Sequence, residues 1–270
     1  MPRLKHSIPA ELPQAEQLDF GQLAGDYAAG RCDLIVVLGP TASGKTRYAV
    51  SLAERLGGEI LSADSRQVYR GMDIGTGKDL AEYGSIPYHL IDIAEPGTQY
   101  NVWQYQQDFA RAWADIRARG AVPVLCGGTG MYVNAVTRGY DFSEKVPLSA
   151  AREGNSARAD LPQRPFFIGT LVDRDTRNAR IDARLDARLQ EGMVDEIRGL
   201  LERGVPAEAL LAYGLEYKFV TLYIQGELSY DQMRTQLATA IHQFAKRQMT
   251  WWRGMERSGV RIHWVEPDAI

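Results

Sequence analysis

Apolar residues along this chain follow two rhythms. Solid short runs, "CDLIVVLG" from Cys32, "EILSAD" from Glu59, "YHLIDI" from Tyr88, "VPVLCGG" from Val122 and "FFIGTLV" from Phe166, have the length and bounding turn residues of buried strands. Between them the apolar positions open to helical spacing. A helix follows the first run through about Leu56, and "VWQYQQDFARAWADIRARG" reads as a helix that stops at Gly120. Beyond the fifth run, helical patterns cover about 177–203, 206–224 and 229–256, and "VRIHWVE" from Val260 returns to a strand. Strands alternating with helices predict an α/β fold, an open parallel sheet with flanking helices and a helical C-terminal part.

The pattern divides the chain. Residues 1–30 read as a peripheral arm with one helix near 14–29, and 31–140 as the α/β core. Residues 141–163, "DFSEKVPLSAAREGNSARADLPQ", are polar, proline-bearing and weakly periodic, the signature of a connection; 164–270 complete the core with C-terminal helices. No internal repeat interrupts this order.

Composition narrows the class. At 45% hydrophobic and 24% charged, the 270 residues suit a soluble globular protein with a substantial core. The sequence has no eighteen-residue apolar run for a membrane span, and "MPRLKHSIPAELP" has no signal-peptide core. Two cysteines, Cys32 and Cys126, supply neither a disulfide framework nor a metal quartet, so a reducing, cytoplasmic setting is expected. His6, His89, His242 and His263 show no ligand spacing, and zinc is not expected. A net charge of −3 does not call for nucleic acid, but arginines concentrate over 174–203 and recur at Arg247, Arg253, Arg257 and Arg261. Interleaved Asp182, Asp186, Glu191 and Asp195 make a salt-laced helix surface an equal reading of the first cluster.

The sharpest chemistry lies in "GPTASGKT", Gly39-Pro40-Thr41-Ala42-Ser43-Gly44-Lys45-Thr46, which satisfies G-x-x-x-x-G-K-[ST] between a strand and a helix. Its glycines let backbone N–H groups turn inward, and the helix N-terminus adds its dipole. Lys45 supplies a cation and Thr46 a hydroxyl for Mg2+. A nucleotide hydrolase also needs a carboxylate for Mg2+ at a neighbouring strand end. Asp64 and Asp92 are the candidates, because "VPVLCGG" ends in glycines. A small-molecule kinase with Asp64 as base is the stronger phosphoryl-transfer reading. Ser62, Asp64, Ser65, Gln67 and Tyr69 gather after the second strand, where ligands bind in such sheets. There Asp64 can take a proton or cap a helix, and Gln67 can read an adenine-like edge. "GTGK" adds a flexible turn and the cation Lys78. In "CGGTGMY", Gly127, Gly128 and Gly130 permit close backbone approach, Thr129 offers a hydroxyl, and Cys126 reads as a small buried residue.

Taken together, "GPTASGKT", "GGEILSADSRQVYRGMDIGTGK", "YHLIDI", "GGTGMY" and "QFAKRQMTWWR" closely resemble the tRNA dimethylallyltransferase family, in that family's order, over roughly 34–140 and 166–266. The resemblance implies a P-loop core like that of small-molecule kinases. It implies that Gly39 to Thr46 hold the diphosphate of dimethylallyl diphosphate, with Mg2+ on Thr46. By the same resemblance Asp64 takes the proton of adenine N6 and Thr129 contacts the diphosphate. An arginine from the stretch holding Arg174, Arg180 and Arg184 grips the diphosphate, and Ser62, Ser65, Gln67, Lys246, Arg247 and Gln248 lie on the acceptor side. The implied acceptor is an adenosine of the tRNA anticodon loop. "KRQMTWWR" suits a flipped base through Lys246, Arg247, Trp251, Trp252 and Arg253; core-facing tryptophans are the plainer reading, and adjacent residues permit both.

Three departures stand out. The family's helical insertion after "GGTGxY", which helps hold the anticodon arm, is replaced by the short 141–163 segment. "AYGLEYKFV" stands where the family has an "IGY" pattern. The 1–30 arm is additional. The first departure leaves three outcomes: tRNA held by less surface, a smaller acceptor such as free AMP, ADP or ATP, or a catalytically weak RNA-binding relative.

Overall fold

The structure, a computed structural model, describes residues 13–139 and 160–268. In chain order the elements are α1 (Phe20–Ala28), β1 (Leu34–Leu38), α2 (Lys45–Leu56), β2 (Gly58–Ser62), β3 (Tyr88–His89), α3 (Val102–Ala118), β4 (Val122–Gly127) and α4 (Gly130–Asn134). There follow β5 (Pro165–Thr170), α5 (Arg174–Gln190), α6 (Met193–Glu202), α7 (Ala207–Ala212), α8 (Leu215–Ile224), α9 (Tyr230–Arg257) and β6 (Ile262–Val265). A 3-10 turn, Leu80–Tyr83, precedes β3, and a π-helical turn, Ala135–Gly139, extends α4.

The described strands form one six-stranded sheet in the order β3-β2-β4-β1-β5-β6, every pair parallel. All five β1 residues are buried, as a strand covered on both faces requires. Side chains alternate across it. Leu34, Val36 and Leu38 enter the larger apolar cluster with Tyr105, Phe109, Tyr217 and Trp252. Ile35 and Val37 enter the opposite one with Tyr48, Leu52 and Ile60 of the α2 side. Because the crossovers are helical, the strand ends after β1, β2, β4 and β5 open on one edge of the sheet, where the functional loops collect.

The predicted strands appear, with one exception. "YHLIDI" pairs only through Tyr88 and His89. Leu90 and Asp92 have φ of 67° and 56°, and Asp92, Ile93 and Ala94 donate their N–H groups to Gln67 and Val68 carbonyls instead. The predicted helices over 177–203 and 206–224 each break in two, at Gly192 (φ 101°) and Gly214 (φ 134°), backbone geometries that favour glycine. Sequence periodicity runs through both breaks because the apolar faces on either side still turn toward the same core. The described N-terminal residues, from 13 on, dock on the core: the Glu16 N–H donates to Trp264 O at 2.6 Å, and Leu23 of α1 is buried. Of the 141–163 connection, residues 141–159 lie outside the described residues. No helix among the described residues is long and apolar enough to cross a membrane.

Candidate active site

The phosphate loop runs from the end of β1 into α2. Gly44 occupies the N-cap position in a left-handed conformation with no side-chain cap, so the first N–H groups of α2 lack a capping side chain and are available to an anion. Lys45 folds back over the loop, its Nζ 3.4 Å from Pro40 O. Burial lowers the pKa of this ammonium, opposed by the Cys126 and Asp64 side chains, as expected of a partly desolvated cation. Side chains from distant elements brace the loop. Ser43 is buried and shares a 2.6 Å hydrogen bond with Thr170 at the end of β5. The Thr41 N–H donates to Gln248 Oε1 at 2.8 Å. Thr46 is the second residue of α2, and the Cys126 thiol donates to Lys45 O at 3.8 Å. Burial pushes the Cys126 thiol up to about 11, so it stays protonated and unreactive, in keeping with a packing role.

Asp64 and Thr129 lie across one residue from each other. Asp64, in the turn after β2, accepts the Arg66 N–H at 2.9 Å, a turn-forming contact; no helix follows it. Its oxygen also lies 3.6 Å from the Arg66 guanidinium. Thr129 follows β4, and its hydroxyl oxygen accepts the Ser65 N–H at 3.1 Å and lies 3.3 Å from the Ser65 hydroxyl. Close packing at Gly127, Gly128 and Gly130 permits this approach, since a side chain there would strike Ala63, Gln248 or Trp251. Arg66 is also bonded to Glu216 at 2.6 Å. Burial alone would lower the Arg66 pKa, but the Glu216 and Asp64 carboxylates outweigh it and raise it. Glu216 belongs to "AYGLEYKFV", so that departure from the family pattern carries the ion pair that backs Asp64.

The other predicted residues separate. Ser62 is buried and donates to Gln67 Oε1 at 3.1 Å, while Gln67 Nε2 donates to Gly77 O at 3.2 Å. Lys246 and Arg247 are exposed on α9. Gln248 turns inward from them: besides holding Thr41, it donates to Gly128 O at 2.9 Å, so it braces the two loops to each other. Lys78 is no free cation either. Its ammonium is fully buried against Tyr69 O, Asp73 and Asp92. The "IGTGK" turn is correspondingly held rather than flexible: Glu196 of α6 accepts the N–H groups of Asp73, Ile74 and Gly75 at 2.8, 2.7 and 3.1 Å.

Among the three candidate arginines, Arg184 borders a small cavity together with Thr41 and Ala42 of the phosphate loop. Arg174 is exposed at the start of α5, and Arg180 is 3.9 Å from Asp268. Arg188, one turn beyond Arg184, borders the same cavity; its i, i+4 spacing from Arg184 is the sequence signal for that placement. The two tryptophans divide as adjacent helical residues should: Trp252 is fully buried, while Trp251 is 41% exposed and lines an open groove of about 410 Å³ with Asn134, Arg138 and Arg247. Trp251 also covers Gly130, next to Thr129.

The chain that carries this P-loop, the Asp64 turn after β2 and a β4 ending without a carboxylate is matched by family models. One described as IPP transferase covers residues 67–163 and 144–255, and one described as isopentenyl transferase covers 32–83. A tRNA dimethylallyltransferase 1 from Porphyromonas gingivalis is 50% identical over 86% of this chain and 93% of its own length.

The chain belongs to the tRNA dimethylallyltransferase family.

A second tRNA dimethylallyltransferase 1, from Geotalea uraniireducens, is 48% identical over 88% of this chain and 94% of its own. The solved tRNA isopentenylpyrophosphate transferase of Bacillus halodurans superposes with a TM-score of 0.74 at 32% identity, covering 87% of this chain and 89% of that one. The alignment to the Porphyromonas relative is 282 positions long yet occupies 86% of a 270-residue chain. The dimethylallyltransferase from Porphyromonas therefore carries residues with no counterpart here.

Proposed function

We propose that this protein transfers the dimethylallyl group of dimethylallyl diphosphate to N6 of an adenosine in the tRNA anticodon loop, in the cytoplasm. The observation that carries the reading is the placement of Asp64 and Thr129 on either side of Ser65, at the sheet edge that also carries the phosphate loop. Diphosphate leaves with the electron pair of the broken C–O bond, and its growing charge is met by Lys45, loop N–H groups and Arg184. N6 forms the new C–N bond, and Asp64 receives its proton. No phosphoryl group moves. Arg66 and Glu216 position Asp64.

Mg2+ fits this donor set. Among the described residues no three His, Cys, Asp or Glu side chains cluster, but Mg2+ is commonly held by one or two protein oxygens plus substrate phosphates and water. Thr46 would provide the protein oxygen. When bound, the ion would supply neutralising charge at the leaving diphosphate.

Free AMP, ADP or ATP is the second reading of the acceptor. It is favoured by the residues that relatives carry and this chain lacks, which we assign to the place of the 141–163 segment. Incubation of the purified protein with Mg2+, dimethylallyl diphosphate and either tRNA or AMP, followed by mass spectrometry, separates the acceptors. Modified tRNA with unmodified AMP supports the proposal, and the reverse selects the nucleotide. ATP-dependent phosphoryl transfer in place of prenyl transfer would identify a kinase. RNA binding without transfer would identify a non-catalytic relative.

A further inference from the structure

Arg188 is a buried cation short of a partner. Its side chain is 11% exposed. One guanidinium nitrogen, Nη2, is buried with no hydrogen-bond partner among the described residues. The nearest carboxylate oxygen, Asp79 Oδ2, lies 3.6 Å away and is taken at 2.7 Å by Arg184. Glu216, the other acid in the surroundings, is engaged at 2.6 Å by Arg66. Burial accordingly lowers the Arg188 pKa to about 10, with the neighbouring Arg184 charge adding to the effect. Leaving a buried guanidinium N–H unpaired is costly, and the structure tolerates it at one particular place. Arg184 and Arg188 line the small cavity bordered by Thr41 and Ala42 of the phosphate loop, with the Arg66-paired Glu216 also on its wall. Both guanidinia pack over Gly77, where any side chain would collide with them.

We propose that Arg188 is a second arginine for the diphosphate, pairing its unpartnered N–H with an oxygen of that group beside Arg184. The inference rests on the prenyl-transfer reading for its ligand. When the C–O bond breaks, the electron pair passes to the diphosphate, whose charge rises. A guanidinium that is under-bonded in the free enzyme gains most from that change, because its interaction strengthens as the leaving group forms. Arg188 also explains why two adjacent arginines share one acid: Asp79 satisfies Arg184 and leaves Arg188 to the substrate.

Inorganic pyrophosphate with Mg2+ tests the assignment by calorimetry without any need for turnover. Wild type, Arg188→Met, Arg188→Lys and Arg198→Ala are compared, the last removing an exposed arginine paired with Asp195 on α6. Arg188→Met should weaken pyrophosphate binding about ten- to a hundredfold, the range of a charge-assisted bond. Arg188→Lys should fall between, and Arg198→Ala should match wild type. Unchanged pyrophosphate affinity in Arg188→Met overturns the proposal, and does so equally if its melting temperature drops, since that outcome makes Arg188 structural. If Arg188→Met does not fold, Arg188→Lys decides: wild-type affinity there overturns it, because a lysine lacks the guanidinium fork. Wild type that binds pyrophosphate but prenylates no acceptor would sink the proposed function and leave the Arg188 assignment standing; wild type that fails to bind pyrophosphate sinks both.

Discussion

Gln248 and Thr41, 207 positions apart, are joined by a 2.8 Å hydrogen bond from the loop N–H to the amide oxygen. The same amide donates to Gly128 O at 2.9 Å. One buried side chain from α9 thus fixes the distance between the phosphate loop and the turn that carries Thr129. The C-terminal helix sets the geometry in which a diphosphate would sit between them.

Replacing Gln248 by leucine removes both bonds and leaves an N–H and a carbonyl unpaired. Each such group costs about 1–3 kcal/mol when buried. We expect a lower urea midpoint and about a tenfold rise in the KM for dimethylallyl diphosphate if one such group's cost is felt in substrate binding. A variant with wild-type midpoint and KM would show that the brace does not hold the loop.

Asp64→Asn keeps an oxygen to accept the Arg66 N–H but cannot take a proton. Loss of a general base lowers kcat about 10²–10⁴-fold, with pyrophosphate affinity retained. Calorimetry beside single-turnover transfer separates the two quantities, and undiminished transfer would remove Asp64 from its role.

Glu196→Ala strips three backbone N–H groups of the 73–75 turn of their acceptor, and the Tyr217 hydroxyl of its 2.7 Å partner. A loss of roughly 2–4 kcal/mol in unfolding free energy is expected, since hydrogen bonds to a charged group are among the stronger ones. Because that turn presents Gly77 O to Gln67, the KM for the acceptor should rise with it. Chemical denaturation of Glu196→Ala against Glu196→Gln, which keeps an acceptor oxygen, reads the effect; equal stability of the two would contradict it.

Glu59 gives a pH signature away from the site. The hydrogen bonds of Arg119, and then His89, hold its carboxyl below the ordinary 4.5 despite burial. A depressed carboxylate stabilises the fold above its unfolded pKa and loses that contribution as pH falls through the folded value. Glu59→Gln should therefore melt below wild type at pH 7, and the gap should close as pH drops progressively below 4.5. A gap that persists unchanged in acid would assign the effect to packing.

The strands, the P-loop and the chemistry-bearing turns were legible because each is written in contiguous residues: an apolar run, a glycine pattern, a polar cluster at a strand end. What was not legible is long-range. Lys78 looks in sequence like a free cation beside glycines, and only the folded chain brings Asp92 to it, bending "YHLIDI" out of the sheet. Arg174, Arg180 and Arg184 are equivalent as letters, and only the folded chain shows that Arg184, with Arg188, lines the cavity beside Thr41 and Ala42. Gln248 sits between exposed Lys246, Arg247 and Trp251 and shares their polar look, yet its partners lie more than a hundred residues away. The Arg66–Glu216 pair is illegible in sequence for the same reason, being 150 residues apart.

The central claim, that the loop grips a diphosphate whose carbon end is transferred, is tested most directly with dimethylallyl diphosphate labelled separately in its alkyl and phosphate parts. After incubation with tRNA and Mg2+, digestion to nucleosides should place the alkyl label on N6 of adenosine and leave the phosphate label in free diphosphate. Phosphate label on the acceptor, or alkyl label recovered only as free alcohol, would contradict the account.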